Sequence, residues 1–326
     1  MHDSMKRRLA KVLLCAVTLL AHSAVAQEYP GKPIKFIAPI AAGGLTDTLT
    51  RALGQRLSER VGQPVIVENR PGAGGLIGMD AAAKSAPDGY TIVMVYQGLA
   101  SVNPILFKVP PYETLRDFAP IAQVATFPMV LVVNASTPIG SVKELIEQAR
   151  AKPGTMNYGS AGNATTSHLV MELFKRKTAL DLLHIPYKGE APALTELLGG
   201  RVSVTFNSLP SVLAHIRSGK VRALAIATRE RSRLLPEVPT ITEAGIGDLE
   251  VPGWYGVLAP AGTPRQVVER LSREFNAVVN EPDTRARLAS QGIDLGGSSP
   301  DAFGKWIREE TDRWRKVIVD AGIRAD

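Results

Sequence analysis

Short apolar runs that end in glycine-rich turns and hand over to helices recur along this chain, and that pattern limits its fold more than any other feature. Residues 34–40 form the first run, which ends in Ala41-Ala42-Gly43-Gly44. A helical stripe follows, with Leu49, Ala52, Leu53 and Leu57 on one face, and Gly62-Gln63-Pro64 stops it. Residues 65–67 read as a second strand, 71–75 as a Gly-rich turn, 78–86 as a helix and 90–96 as a third strand. The extended apolar stretch 118–133 is longer than one ordinary strand. The second half repeats the pattern: 141–150 is helical, 156–158 is a short strand, and Gly159-Ser160-Ala161-Gly162 is another Gly-rich turn. That turn opens a helix with Leu169, Val170, Leu173 and Phe174 inside, and Lys175-Arg176-Lys177 complements its C-terminal dipole. Strands follow at 183–187, 202–206 and 222–227, then an extended segment at 250–258 and two closing helices beginning near Pro264 and Pro300. The last carries Phe303, Trp306, Ile307, Trp314, Val317 and Ile318 in one stripe, a core-packing face. Strands alternating with helices predict an α/β architecture with largely parallel sheets.

The first 26 residues have a different character. Lys6, Arg7, Arg8 and Lys11 accompany an apolar run over 12–20, and Ala24-Val25-Ala26 supplies the small residues of a cleavage site. This is the pattern of a secretory signal with the mature start at Gln27, and it predicts export to the periplasm. The run is shorter than the roughly 20 apolar residues of a bilayer crossing. Lipid attachment at Cys15 is the rival reading, weakened by the bulky Leu14 before it and by the Ala-Val-Ala site downstream. Cys15 is the only cysteine, so a chain starting at Gln27 has no disulfide, no thiolate nucleophile and no cysteine-ligated metal. Removing residues 1–26 takes away four cations and one anion and lowers the formal charge from +7 to +4. That mild excess suits small anions. It is not the concentrated basic stripe of a nucleic-acid binder, so no nucleic-acid partner is expected.

The residues with most chemical meaning sit where strands hand over to helices. Free backbone N–H groups at a helix start, together with the helix dipole, favour a carboxylate, and glycines let a ligand approach the backbone. Gly43-Gly44-Leu45-Thr46-Asp47 has this form, and residues 159–166 have it again. Thr46, Ser160, Thr165 and Thr166 add neutral hydroxyl donors. Asp47 reads equally as a helix cap, and His168, one turn into the second helix, as a structural histidine. Gly72-Ala73-Gly74-Gly75-Leu76-Ile77-Gly78 invites a dinucleotide reading, but its third glycine is one place late and the next strand ends in Tyr96-Gln97 rather than an acid. His168, His184 and His215 fall in separate elements without ligand spacing. No cofactor, no metal and no catalytic set is expected, which points away from an enzyme.

Several ordered blocks resemble one family. Tyr29-Pro30-Gly31-Lys32-Pro33-Ile34 followed by Gly43-Gly44-Leu45-Thr46-Asp47 resembles the opening of the Bug-type extracytoplasmic solute receptors of tripartite tricarboxylate transporters. Val67-Glu68-Asn69-Arg70-Pro71-Gly72-Ala73-Gly74-Gly75, then Tyr158-Gly159-Ser160-Ala161-Gly162 with His168-Leu169, are similar to the next blocks. His184-Ile185-Pro186-Tyr187-Lys188-Gly189, Leu197-Leu198-Gly199-Gly200, Val238-Pro239-Thr240 and Trp254-Tyr255-Gly256 continue in the same order. The resemblance implies a type II periplasmic-binding-protein fold: two α/β domains, a ligand cleft between them and two crossing hinge segments near 118–133 and 250–258. Domain one would comprise 27–126 and 253–326, and domain two 127–252. It also implies a periplasmic, monomeric solute-binding protein that captures a small mono- or dicarboxylate and delivers it to membrane permease subunits. A sensory receptor for the same kind of ligand, and a nucleotide-dependent enzyme using the 72–78 turn, are the alternatives. The family's carboxylate grip maps onto Gly44, Thr46, Asp47, Ser160, Gly162, Thr165 and Thr166. Leu45, Gly74, Gln97, His168, Tyr187 and Asn207 complete the candidate ligand contacts. Two departures stand out: Ala42-Gly43-Gly44 replaces the frequent Pro-Gly-Gly, and Asn207-Ser208 replaces a frequent Asp-Asn. Without that acid, a plain organic acid is expected rather than an amino acid.

Overall fold

A computed structural model describes residues 29–106 and 111–321. The secretory-signal reading of residues 1–26, with its cut after Ala26, falls outside the described residues. The strands among the described residues all lie within the unit Lys32–Asp326. Among the described residues no helix is long and apolar enough to cross a membrane.

In chain order the elements are β1 (Ile34–Ala38), α1 (Leu45–Val61), β2 (Val65–Asn69), α2 (Leu76–Ala83) and β3 (Thr91–Tyr96). A π-helical turn at Gly98–Val102 leads to the short helices α3 (Asn103–Leu106) and α4 (Thr114–Asp117), then to β4 (Phe118–Phe127) and β5 (Met129–Asn134). There follow α5 (Val142–Ala151), β6 (Asn157–Ser160), α6 (Thr166–Thr178), β7 (Leu183–Pro186), α7 (Glu190–Leu198), β8 (Val204–Ser208), α8 (Leu209–Arg217) and β9 (Val221–Ile226). The chain closes with β10 (Gly253–Pro260), α9 (Arg265–Val279), α10 (Pro282–Ala289), β11 (Asp294–Leu295) and α11 (Pro300–Ala321). Helix α1 buries Leu49, Leu53 and Leu57, spaced by four, and stops where Gly62 turns left-handed (φ 67°) and donates to Ser58 O. Helix α5 starts on Ser141, whose hydroxyl accepts from Glu144 N–H.

Two sheets result. The first has the order β11-β4-β10-β3-β1-β2 and the second β7-β6-β8-β5-β9. These are two α/β domains, with the first sheet assembled from both ends of the chain. The sequence pattern predicts largely parallel sheets, but both are mixed. Strands β1, β2 and β3 run parallel while β10 is antiparallel to β3 and β4. Strands β6, β7 and β8 run parallel while β5 is antiparallel to β8 and β9. The reason lies in the crossings. Strand β5 enters beside the end of β8 (Met129 opposite Ser208), and Tyr255 near the start of β10 lies opposite Tyr96 at the end of β3. A strand arriving from the other domain enters at the end where the strand-to-helix turns sit, so it must run against them. The long apolar stretch 118–133 is therefore two strands in two sheets, parted at Pro128. The helical segment at 98–106, α10 and the two-residue β11 carry no periodic signal in the sequence.

Helix α11 is tied to the first sheet by one buried acid. Glu310 is 3% exposed, and its Oε2 accepts from Gln97 Nε2 at 2.6 Å, Trp314 Nε1 at 3.3 Å and Trp254 Nε1 at 3.4 Å. Arg313 pairs with its other oxygen at 3.3 Å. Phe303, Ile307, Trp314 and Ile318 of the predicted stripe are buried around this knot. Removing the acceptor leaves buried N–H donors unsatisfied, each costing roughly 1–3 kcal/mol. Glu310→Ala should therefore lower unfolding free energy by about 3 kcal/mol or more, read by urea denaturation. A loss below about 1 kcal/mol would mean that the knot contributes little.

Candidate functional site

The two Gly-rich turns meet. A chamber of about 30 Å³ is lined by Gly44, Leu45 and Thr46 from the start of α1 and by Ala161, Thr165, Thr166 and Ser167 from the start of α6. Ile40, Tyr96, Phe127, Glu190 and Tyr255 complete its wall. Neither helix start has a side-chain cap. The first hydrogen bonds inside the helices run from Thr48 N–H to Gly44 O and from Leu169 N–H to Thr165 O. Helix geometry thus leaves the N–H groups of Leu45, Thr46, Thr166 and Ser167 without intrahelical acceptors. Two helix dipoles, one from each domain, present their positive ends to one small space.

The turns are held in shape by side chains behind them. The first is knitted by Asp47, whose carboxylate accepts from Gly43 N–H at 3.1 Å and Asn69 Nδ2 at 2.9 Å and pairs with Arg51 at 2.9 Å. Burial pushes the Asp47 carboxyl up, but the hydrogen bonds from Arg51, Asn69 and Gly43 together outweigh it and hold its pKa below the usual value. The second turn keeps residues 161–165 out of the helix through Gly162 (φ 131°) and Ala164 (φ 58°). Its N–H groups are occupied internally: Ala161 donates to Ser167 Oγ, Gly162 to Ser160 Oγ and Ala164 to His168 Nδ1. Thr165 Oγ1 donates to Gly162 O at 2.7 Å.

Several of the predicted contacts line the chamber and others do not. Gly44, Leu45, Thr46, Thr165 and Thr166 form its wall. Gly74, Gly162 and Tyr187 line an adjoining pocket of about 260 Å³ that shares Ile40 and Ala161 with it. Asp47, Ser160 and His168 stand behind the turns as supports. Gln97 is held by Glu310 in the knot described above, and Asn207, 1% exposed, donates within its own strand to Thr205 Oγ1 at 3.4 Å. The aromatic floor of Tyr96, Phe127 and Tyr255 escapes sequence reasoning because register, not spacing, brings it together. Tyr255 pairs with Tyr96 across β10 and β3, and its ring stacks on Phe127 with centroids 5.2 Å apart. Its hydroxyl meets Thr46 Oγ1 at 2.7 Å. One hydroxyl of that pair donates to the other, which leaves a proton to offer a ligand. Burial above all raises the Tyr255 phenol well above its ordinary pKa, so it stays a donor. Glu190 has no sequence signal either, since an acid in a first helical turn is ordinary.

Behind the second turn Tyr158, His184 and His168 stack as three near-parallel rings, with His184 centroids 4.6 Å from Tyr158 and 4.3 Å from His168. His184 Nε2 meets Ser160 Oγ at 2.6 Å. Among the described residues no three His, Cys, Asp or Glu side chains converge as metal ligands.

The domains are in contact around the site through glycines. A methyl group added at Gly98 would lie 1.9 Å from Ala164 O, and one at Gly74 2.6 Å from Asn163 O. Two α/β domains closed on a chamber that collects helix N-termini from both define a two-lobed solute receptor. A profile described as the tripartite tricarboxylate transporter family receptor matches residues 49–323. Protein BugT of Bordetella pertussis is 38% identical over 323 residues, covering 98% of this chain and 99% of BugT. The solved structure of R. palustris Rpa4515 with adipate has a TM-score of 0.88 at 36% identity, covering 91% of this chain and 99% of that one. The periplasmic binding protein BugD gives 0.87 at 34% identity, covering 91% and 100%. The chain belongs to the tripartite tricarboxylate transporter receptor family and has the periplasmic-binding-protein fold.

The ring stack gives the site a pH signature. Burial first, then the neighbouring His168, push His184 down to a pKa of about 3 from 6.5. A histidine held neutral in the fold takes up its proton below 6.5 only when the chain unfolds. Its stabilisation is complete above pH 6.5 and is lost as pH falls towards 3, on the order of a few kcal/mol in all. Urea midpoints measured from pH 7 to pH 4 should fall more steeply for the native chain than for His184→Gln. Parallel curves would show that His184 is not held neutral.

Proposed function

We propose that this protein is a periplasmic receptor that closes around a small organic carboxylate and presents it to the permease subunits of a tripartite tricarboxylate transporter. Residues 27–126 and 253–326 form one lobe and 127–252 the other, and Gln27 is the mature start. The observation that carries this reading is the convergence of two uncapped helix starts, one from each domain, on a single chamber. A carboxylate placed there accepts from both helix starts, from the Thr166 hydroxyl and from the one proton that the Thr46–Tyr255 pair leaves over, with no arginine needed. Adipate with Rpa4515 and the periplasmic character of BugD support the same chemistry and compartment. The closed chamber has room for water-sized contents only. A ligand of several carbons must therefore enter with the lobes apart and, once held, extend from the chamber into the adjoining pocket of about 260 Å³.

Hydrogen bonds to a charged ligand are each worth roughly 1.5–3 kcal/mol, or about one to two decades in affinity. Thr46→Ala and Thr166→Ala should each weaken adipate or other dicarboxylate binding by about that factor while leaving the ligand-free fold intact. Their double mutant should lose less than the sum, because breaking either half already disfavours closure. Calorimetry on the three variants, alongside circular dichroism, is the measurement. Native affinity in both single mutants would reduce these hydroxyls to local structure.

Gly98→Ala tests closure itself. Its methyl would overlap Ala164 O across the lobe contact and lie 3.0 Å from the Tyr96 ring, so affinity should fall at least about tenfold with no chamber residue substituted. Unchanged affinity would mean that the lobes need not approach this closely to hold ligand.

A further inference from the structure

Glu190 is the one charged side chain lining the chamber among the described residues. The helix starts, threonines and tyrosine around it are neutral donors suited to an anion, so a carboxylate in the wall runs against the rest of the site. Its placement is specific. Ser208 N–H reaches Glu190 Oε1 at 3.3 Å, and the hydroxyls of Ser208 and Ser211 reach Oε2 at 2.7 and 2.6 Å. The carboxylate also stands close enough to Tyr255 for its charge to follow burial among the causes of that phenol's raised pKa. An ionised carboxylate has about four acceptor positions, and these three contacts leave room for a donor from the chamber side.

Any ligand carboxylate gripped by the helix starts shares a small space with this carboxylate, and like charges close together repel. A ligand that carries a hydroxyl or an ammonium group towards Glu190 turns the same charge into an attraction, and an ammonium gains most. The loss of the acid at Asn207-Ser208 favours a plain organic acid when the sequence is read alone. In the folded chain Ser208 bonds Glu190, and α7 brings that acid to the chamber wall.

We propose that Glu190 sets ligand class, selecting a carboxylate that carries a hydrogen-bond donor beside it, an ammonium before a hydroxyl, over a plain dicarboxylate of equal length. This rests on the clamp reading above. The inference deepens it by assigning the chamber wall that discriminates between acids.

The test uses dicarboxylates of one length that differ only at C2: succinate, malate and aspartate, with the matching five- and six-carbon series, titrated calorimetrically into the mature protein. Native protein should bind the 2-amino and 2-hydroxy acids at least about tenfold more tightly than the plain acid of the length it prefers. Glu190→Gln keeps a side chain that can bond Ser208 and Ser211 but removes the charge. It should compress that preference to less than about threefold, losing affinity for the amino acid and gaining it for the plain acid. A native preference for the plain acid, or a ranking unchanged in Glu190→Gln, overturns the assignment and leaves the clamp standing. Failure of every acid to bind native protein overturns the clamp reading and this one with it.

Discussion

The arrangement around the chamber turns on an unmet requirement of the backbone. An α-helix leaves its first N–H groups without intrahelical acceptors, and proteins ordinarily cover them with a capping side chain. Helices α1 and α6 do not. They are instead aimed at the same small space, and the chain invests in holding them there. Asp47 knits the first turn through three contacts, and Ser160, Ser167 and His168 occupy the internal N–H groups of the second. Asp47 and His168 are spent on shaping the turns, and the chamber surface is left to backbone, hydroxyls, apolar and aromatic side chains and one carboxylate.

Closure depends on close backbone approach. At Gly74 and Gly98 a single methyl group would strike a carbonyl oxygen of the 163–164 segment, so glycine is required on steric grounds at the contact between domains. Tyr96 takes part on the same face by donating its hydroxyl to Gly74 O. The aromatic floor beneath the chamber is built by register: Tyr255 on the returning strand β10 falls opposite Tyr96 on β3 and stacks on Phe127 at the end of β4. The two strands that carry the chain from one domain to the other therefore also supply part of the chamber wall.

Much of the architecture is legible from local pattern. The run at 34–40 becomes β1, the stripe Leu49–Leu53–Leu57 becomes the buried face of α1, and the Phe303-to-Ile318 stripe packs as the core face of α11. The Gly-rich turns 43–47 and 159–166 contribute Gly44, Leu45, Thr46, Thr165 and Thr166 to one chamber. Strand direction is not legible in this way, because apolar periodicity is the same whichever way a neighbour runs. The sheets consequently prove mixed, and Pro128 divides an apolar stretch between them.

The receptor family came from the resemblance of the chain's ordered blocks; residue types and spacing alone determined that it is an α/β protein whose glycine-rich turns hand over to helix starts. These are properties of the backbone and of local periodicity, which short stretches of sequence specify. Tertiary structure decided which side chains face the chamber. Gln97 and Asn207, at strand ends like Tyr96, turn into the core because Glu310 and Thr205 offer them partners. Glu190, unremarkable in its own helix, is carried to the chamber wall because Ser208 and Ser211, some twenty residues further along the chain, hold it there. Such partnerships join residues distant in sequence, and only packing brings them within hydrogen-bond reach.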